Sequence, residues 1–393
     1  MKTLFSDRIH DVPRSFIREI LKVSLNPEVI SFAGGLPNRQ FFPVAELQHA
    51  ANRVFEEQGS TCLQYSNSEG LIELRQFIAD RYQREQNITV SADNILITNG
   101  SQQALDLIAK IAVNEGDQVI IEEPGYLGAI QALSFYRPQY LPVPVTAAGM
   151  DCEQLARHCS TGSPRLMYTV PNFQNPSGIT YPEQNRKNIA EIISSRPLLV
   201  VEDDPYGSLR FSGARVPSFH HFLPEQTLLL GSFSKVIVPG FRLGWVVAPE
   251  EIFDKLLIAK QAADLHTCNF TQYILCRFLA DYDLDEHVKT ICDAYGRQCR
   301  AMGEAIAASF PEDVRCTVPE GGMFLWGRLP GDLSAMELFE RAVEKQVVFV
   351  PGDPFYTKPR RRQTFRLNFS CVDEPLAVKG IARLADAIKT MLR

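Results

Sequence analysis

Through the first 250 residues, short apolar runs alternate with amphipathic stretches. Residues 94–98, 118–121, 138–145, 165–170, 197–201, 228–230 and 245–248 are short and mostly apolar, the pattern of strands buried on both faces. Between them, residues 45–58, 71–85, 102–113 and 183–194 carry apolar side chains at helical spacing, and a further helix runs to Leu133. Short strands alternating with amphipathic helices predict a doubly wound α/β domain, whose ligands gather at the carboxyl ends of the strands.

Two flanking regions depart from that rhythm. Residues 13–24 place Phe16, Ile17, Ile20, Leu21 and Val23 mostly on one helical face, with Pro13 in the first turn. Arg14 and Arg18, one turn apart, read there as an exposed pair on the polar face. Residues 31–37 then break the helix, and Gly34-Gly35 lets the backbone approach a ligand or turn a corner. From residue 249 the pattern is helical to about 279 and again over 285–308. Strands at 321–326 and 347–350, a helix at 334–345 and an alternating run at 364–370 follow. The expected organisation is an N-terminal helix and cleft segment over 1–40, a large α/β domain over 41–284 and a small α+β domain over 285–393.

Composition narrows the function classes. A chain of 393 residues with 45% hydrophobic content and a formal net charge of -6 is globular, with no electrostatic reason to bind nucleic acid or an anionic membrane. The basic cluster Arg360-Arg361-Arg362 reads as a solvated loop. Nine cysteines, odd in number and never spaced Cys-x-x-Cys, signal neither a disulfide framework nor a metal site. No stretch has the length and apolarity of a signal peptide or membrane span, so a cytoplasmic protein is expected.

The chemistry-bearing residues fall at the predicted strand ends. The run at 228–230 leads into Gly231-Ser232-Phe233-Ser234-Lys235, with Arg242 seven residues on. Lys235 alone is a solvated loop lysine. Flanked by Ser234, Val236 and Ile237, with no nearby acid, it is also placed for desolvation to free its amine as a nucleophile. Ser232, Ser234 and Arg242 suit a phosphate ester. A Schiff-base lysine beside phosphate binders suggests pyridoxal phosphate.

Other ends offer partners. Gly100, Ser101 and Gln102 open a helix after a strand, a weak anion site when taken alone. Tyr126 stacks on a ligand ring or caps the core. Asn175, in the turn Asn175-Pro176-Ser177-Gly178, either completes the turn or bonds a ligand. The strand at 197–201 runs into Glu202-Asp203-Asp204-Pro205-Tyr206, whose three acids are either solvated or offset by a cation. Arg366 alternates with Phe365 and Leu367, facing solvent or a cleft where it would hold a carboxylate.

These motifs, with Gly321-Gly322-Met323-Phe324, resemble over essentially the whole chain the fold-type-I pyridoxal-phosphate aminotransferases of class I/II. The likeness is greatest to the branch of 2-aminoadipate (LysN-type) and kynurenine aminotransferases. The resemblance implies that Lys235 carries the cofactor and shuttles a proton. It implies that Asp203 pairs with the ring nitrogen, Tyr206 and Asn175 bond the ring's phenolic oxygen, and Tyr126 stacks on the ring. Ser101, Gln102, Ser232, Ser234 and Arg242 would hold the phosphate, and Arg366 the substrate α-carboxylate. Tyr65 matches a tyrosine that reaches the neighbouring subunit's phosphate, implying a homodimer. Arg18 aligns with an arginine that meets a distal carboxylate, beside the cleft segment at Gly35. The expected reaction moves an amino group from an amino acid (2-aminoadipate, glutamate, leucine-like or aromatic) to a 2-oxo acid, with 2-oxoglutarate the expected acceptor. A β-lyase or racemase shares the same cofactor shell, and a non-catalytic sensor is a remoter alternative.

Overall fold

The computed structural model describes residues 4–10, 12, 20, 26, 28–358 and 362–392. An eight-stranded sheet forms the centre: β1 (Ile95–Thr98), β2 (Gln118–Glu123), β3 (Gln139–Thr146), β4 (Gly149–Met150), β5 (Leu166–Thr169), β6 (Leu199–Asp203), β7 (Thr227–Ser232) and β8 (Gly244–Val247). Their spatial order is β1-β8-β7-β6-β5-β2-β3-β4. Strands β3, β2, β5, β6 and β7 run parallel, whereas β8 lies antiparallel between β7 and β1.

Both faces of the sheet are covered, and side chains alternate between them as strand geometry requires. Ile120, Met167 and Val200 pack with Leu155, Ile189 and Ile193 of the helices Cys152–Thr161 and Glu183–Ile193. Val119, Ile121, Tyr168 and Val201 turn the other way, into the main core with Leu105 and Ile108 of the helix Ser101–Ala112 and Leu256 of the helix Glu250–Asp264.

The helical stretch expected over 249–279 is broken. Leu265 takes a positive φ of 69°, ending one helix before Asn269–Asp281 begins the next. The long helix Leu284–Ser309 follows. It leads to a second sheet of β9 (Arg315–Cys316), β10 (Phe324–Arg328), β11 (Val350–Pro351) and β12 (Thr364–Asn368), in the order β9-β10-β12-β11. The helices Cys152–Thr161 and Glu374–Met391 have no counterpart in the sequence reading.

The segment before the large sheet forms a separate two-stranded pair beside the second one. Ile30–Ser31 pairs in parallel with Val347–Val348, and the Asn368 N–H donates to the Phe32 carbonyl at 2.8 Å. The polar face of β12 then ties down the carbonyls that follow. Arg366 bonds Ala33 at 2.9 Å, Asn368 bonds Gly34, and the Ser370 hydroxyl bonds Leu36 at 3.1 Å. Residues 33–36 are thereby laid across the carboxyl ends of the large sheet.

Candidate active site

A cavity of about 380 Å³ opens at those strand ends. Lys235, Asp203, Tyr206, Asn175, Tyr126 and Arg366 all line it. So do Ser101, Gln102, Ser232, Ser234, Arg242 and Gly35. Tyr65 is not among these: the residue is 78% exposed, and its ring stands edge-on to His266 with centroids 5.7 Å apart. Arg18 lies outside the described residues.

Lys235 follows β7 on a turn and donates from Nζ to the Gly35 carbonyl at 2.9 Å. Burial, then the charge of Arg366, lowers its amine to about 8. A large fraction is therefore neutral near pH 8, the state in which an amine attacks a carbonyl.

Asp203 ends β6 and is 1% exposed. The Tyr168 hydroxyl donates to its Oδ2 at 2.8 Å, while Oδ1 is buried with no partner among the described residues. Burial raises its carboxyl to about 7, opposed by the Tyr168 bond. A buried, half-satisfied carboxylate at a cavity wall suits a cationic donor. Its neighbours are differently employed. Glu202 faces away, taking bonds from the Ser218 hydroxyl and the Phe219 N–H, with Arg186 at 3.8 Å. Asp204 accepts from the Gly207 N–H at 2.9 Å. The three acids are thus neither solvated together nor paired alike.

Arg366 is 1% exposed, yet no carboxylate pairs with it among the described residues. Its guanidinium donates to Asn175 Oδ1 at 2.8 Å and lies over the Phe324 ring at 4.2 Å. Its Nε has no acceptor among the described residues. Burial lowers the group to about 10, where it is still charged at neutral pH. Asn175 spends its other end on Tyr206, donating to the hydroxyl at 3.2 Å. Burial raises the phenols of Tyr206 and Tyr126, the latter to about 12, so both stay protonated donors.

At the opposite end the helix Ser101–Ala112 begins without a side-chain cap, because Gly100 stands at that position. Its open N-terminus, the hydroxyls of Ser101, Ser232 and Ser234, and the Arg242 guanidinium form a cradle for a dianion. The cavity therefore offers an imine-forming amine, an uncapped carboxylate oxygen, an aromatic face and a phosphate cradle, which together fit pyridoxal phosphate.

The profile of the family described as "Aminotransferase class I and II" matches residues 28–384. The chain belongs to that family. It is 41% identical over 385 residues to the 2-aminoadipate transaminase of Thermus thermophilus, covering 97% of this chain and 95% of that one. It is 38% identical over 395 residues to aromatic-amino-acid aminotransferase 1 of Thermococcus litoralis, covering 99% and 95%. Among solved structures it superimposes on LysN, the α-aminoadipate aminotransferase of Thermus thermophilus, complexed with N-(5'-phosphopyridoxyl)-L-leucine. The TM-score is 0.93 at 40% identity, covering 100% of this chain and 98% of that one. This aminotransferase is a pyridoxal-phosphate enzyme of fold type I, and amino-group transfer stands over the lyase and racemase readings. No described helix is long and apolar enough to cross a membrane.

The sequence reading did not single out Tyr168. It lies opposite Val201 across β5 and β6, two residues before Asp203, which puts both side chains on one face. Nor did it single out Phe324 as the platform beneath Arg366.

Proposed function

We propose that this aminotransferase draws on acidic, aliphatic and aromatic L-amino acids and passes the amino group to 2-oxoglutarate. The observation that carries the reading is Arg366, a buried cation lining the cavity with no carboxylate partner among the described residues. An α-carboxylate common to every amino donor satisfies it bidentately. The related proteins' names supply the range: 2-aminoadipate for one, aromatic amino acids for another, and a leucine adduct in the third.

When bound, pyridoxal phosphate supplies the carbonyl for amine exchange and a ring that withdraws electrons from the substrate α-carbon. Lys235 would hold it covalently, and its neutral amine would take the substrate α-proton on Nζ. Asp203 would pair with the ring nitrogen and favour its protonated form. Asn175 and Tyr206 would hold the ring oxygen, and Tyr126 would cover the ring face. Ser101, Gln102, Ser232, Ser234 and Arg242 hold the phosphate. Arg366 fixes the carboxylate, so that the α-proton, rather than the carboxylate, is the group aligned to leave.

Arg18 meets the distal carboxylate of acidic donors and Gly35 borders their path. Tyr65, exposed in the single chain, completes the neighbouring site of a homodimer. The nine cysteines, all free, accord with a cytoplasmic enzyme. The large domain spans 41–284 and the small one 285–393.

A panel of amino acids assayed with 2-oxoglutarate, in the wild type and in Arg18→Ala, tests this reading. Turnover of all three donor classes, with selective loss of acidic donors in the variant, is expected. Turnover of one class alone overturns the broad range, and uniform loss or no change overturns the role of Arg18.

A further inference from the structure

Lys260 is a charged side chain that no step above employs, and it is 0% exposed. Its Nζ donates to Asp264 at 2.8 Å, to Gln103 Oε1 at 2.8 Å and to Thr267 Oγ1 at 2.9 Å. All three ammonium protons are thereby used. A lysine is costly to keep out of water, and among the described residues Asp264 is the carboxylate that offsets this one, so its place depends on the network around it.

The network leads to the phosphate cradle. Gln103 Oε1 also accepts the backbone N–H of Asn99 at 2.8 Å, and Gln103 Nε2 donates to Asp264 at 2.7 Å. The Asn99 side chain donates to the same carboxylate. The Thr267 hydroxyl passes its own proton to the carbonyl of Ile97, in β1. Lysine can only donate, so Lys260 dictates that the oxygen of the Gln103 amide faces it and Asn99, with the nitrogen toward Asp264. On the far side, the Asn99 carbonyl takes the Arg242 guanidinium at 3.4 Å. The peptide leading into Gly100 and Ser101 is thus held from behind by Lys260 and Gln103.

We propose that Lys260, acting through Gln103 and Asp264, is a positioning residue for the phosphate cradle. It sets the orientation of the turn from Asn99 to Ser101 and of Arg242. The proposal rests on the reading that Ser101, Gln102 and Arg242 hold the phosphate. It predicts that the network contributes to binding of pyridoxal phosphate but not of pyridoxal, which lacks the phosphate.

Fluorescence titration of the cofactor-free protein with both ligands decides it, using Lys260→Met, Gln103→Leu and, as reference, Arg242→Leu. Gln103→Leu leaves Lys260 paired with Asp264 and Thr267, so it tests the relay even if Lys260→Met does not fold. Each network variant is expected to weaken pyridoxal phosphate roughly tenfold, the worth of one hydrogen bond to a charged group, with pyridoxal affinity nearly unchanged. The phosphorus-31 resonance of bound cofactor should shift in step. Unchanged affinity for pyridoxal phosphate in Gln103→Leu, or equal weakening of both ligands, overturns the proposal. If Arg242→Leu discriminates the ligands and Gln103→Leu does not, the inference alone fails. If Arg242→Leu does not discriminate, the cradle assignment fails and the inference with it.

Discussion

Tyr168 donates its hydroxyl proton to Asp203 Oδ2 at 2.8 Å, leaving Oδ1 as the one buried oxygen of that carboxylate without a partner among the described residues. One oxygen is anchored and the other is presented to the cavity.

The anchor has an electrostatic consequence. Burial raises Asp203 to about 7, and the bond from Tyr168 is the largest effect opposing it. Tyr168→Phe removes that stabilisation of the anion, so the carboxyl rises further and a larger fraction is neutral at a given pH. The acidic limb of the kcat profile should move to higher pH, and kcat near neutrality should fall about tenfold, as for loss of a bond to a charged group. Asp203→Asn, which removes the charge itself, should cost more, on the order of a hundredfold or greater. An acidic limb unmoved in Tyr168→Phe would refute this coupling.

Lys235 and Arg366 make a second, linked prediction. The folded value of Lys235, about 8, lies below the ordinary lysine value because of burial first and the Arg366 charge second. For a depressed lysine, the favourable contribution to folding is present above the unfolded value and is lost as pH falls through the folded one. Imine formation needs the neutral amine. The rate at which the cofactor-free protein gains the visible absorption of bound pyridoxal phosphate should therefore climb with pH and level off above about 8. Arg366→Leu removes a neighbouring cation, so the same curve should shift to higher pH. That variant should also raise KM for amino donors by roughly ten- to a hundredfold, from loss of a charge-assisted pair. Stopped-flow absorbance and steady-state kinetics read the two effects separately.

Much of this site was legible because apolar strands of a parallel sheet end abruptly in chemistry-bearing turns. The run Leu228-Leu229-Leu230 fixes the end at which Lys235 emerges, and Leu199-Val200-Val201 does the same for Asp203. Tyr168 was not legible as a partner, because its place beside Asp203 depends on inter-strand register, which one strand's pattern does not contain. The alternation around Arg366 correctly separates a polar from an apolar face, yet both faces are buried; the polar one is occupied by the carbonyls of residues 33–36. The helix Glu374–Met391 does carry a stripe in its sequence, burying Ile381, Leu384 and Ile388 at helical spacing between the small residues Ala377, Gly380, Ala385 and Ala387. Gly380 is small for a reason invisible in sequence: a Cβ there would stand 2.4 Å from the Phe32 ring.

Two cavity glycines should separate cofactor binding from substrate binding. Gly100 has a positive φ of 73°, and a Cβ on it would meet the Arg242 guanidinium at 2.5 Å. Alanine there adds about 1–3 kcal/mol of backbone strain and forces Arg242 out of its place beside the Asn99 carbonyl. Gly35 has room: its Cβ would come to 3.4 Å from Phe324 and 4.0 Å from Arg366, ordinary contact distances. Gly100→Ala should therefore weaken pyridoxal phosphate by about tenfold or more, since it disturbs both a strained turn and a phosphate cation. Gly35→Ala should bind the cofactor as the wild type does while raising KM for amino donors, because the added methyl stands beside the guanidinium that receives their carboxylate. Cofactor titration and donor KM values measured on both variants check the pair; equal effects on both quantities in either variant would contradict the division of the cavity into a cradle end and a carboxylate end.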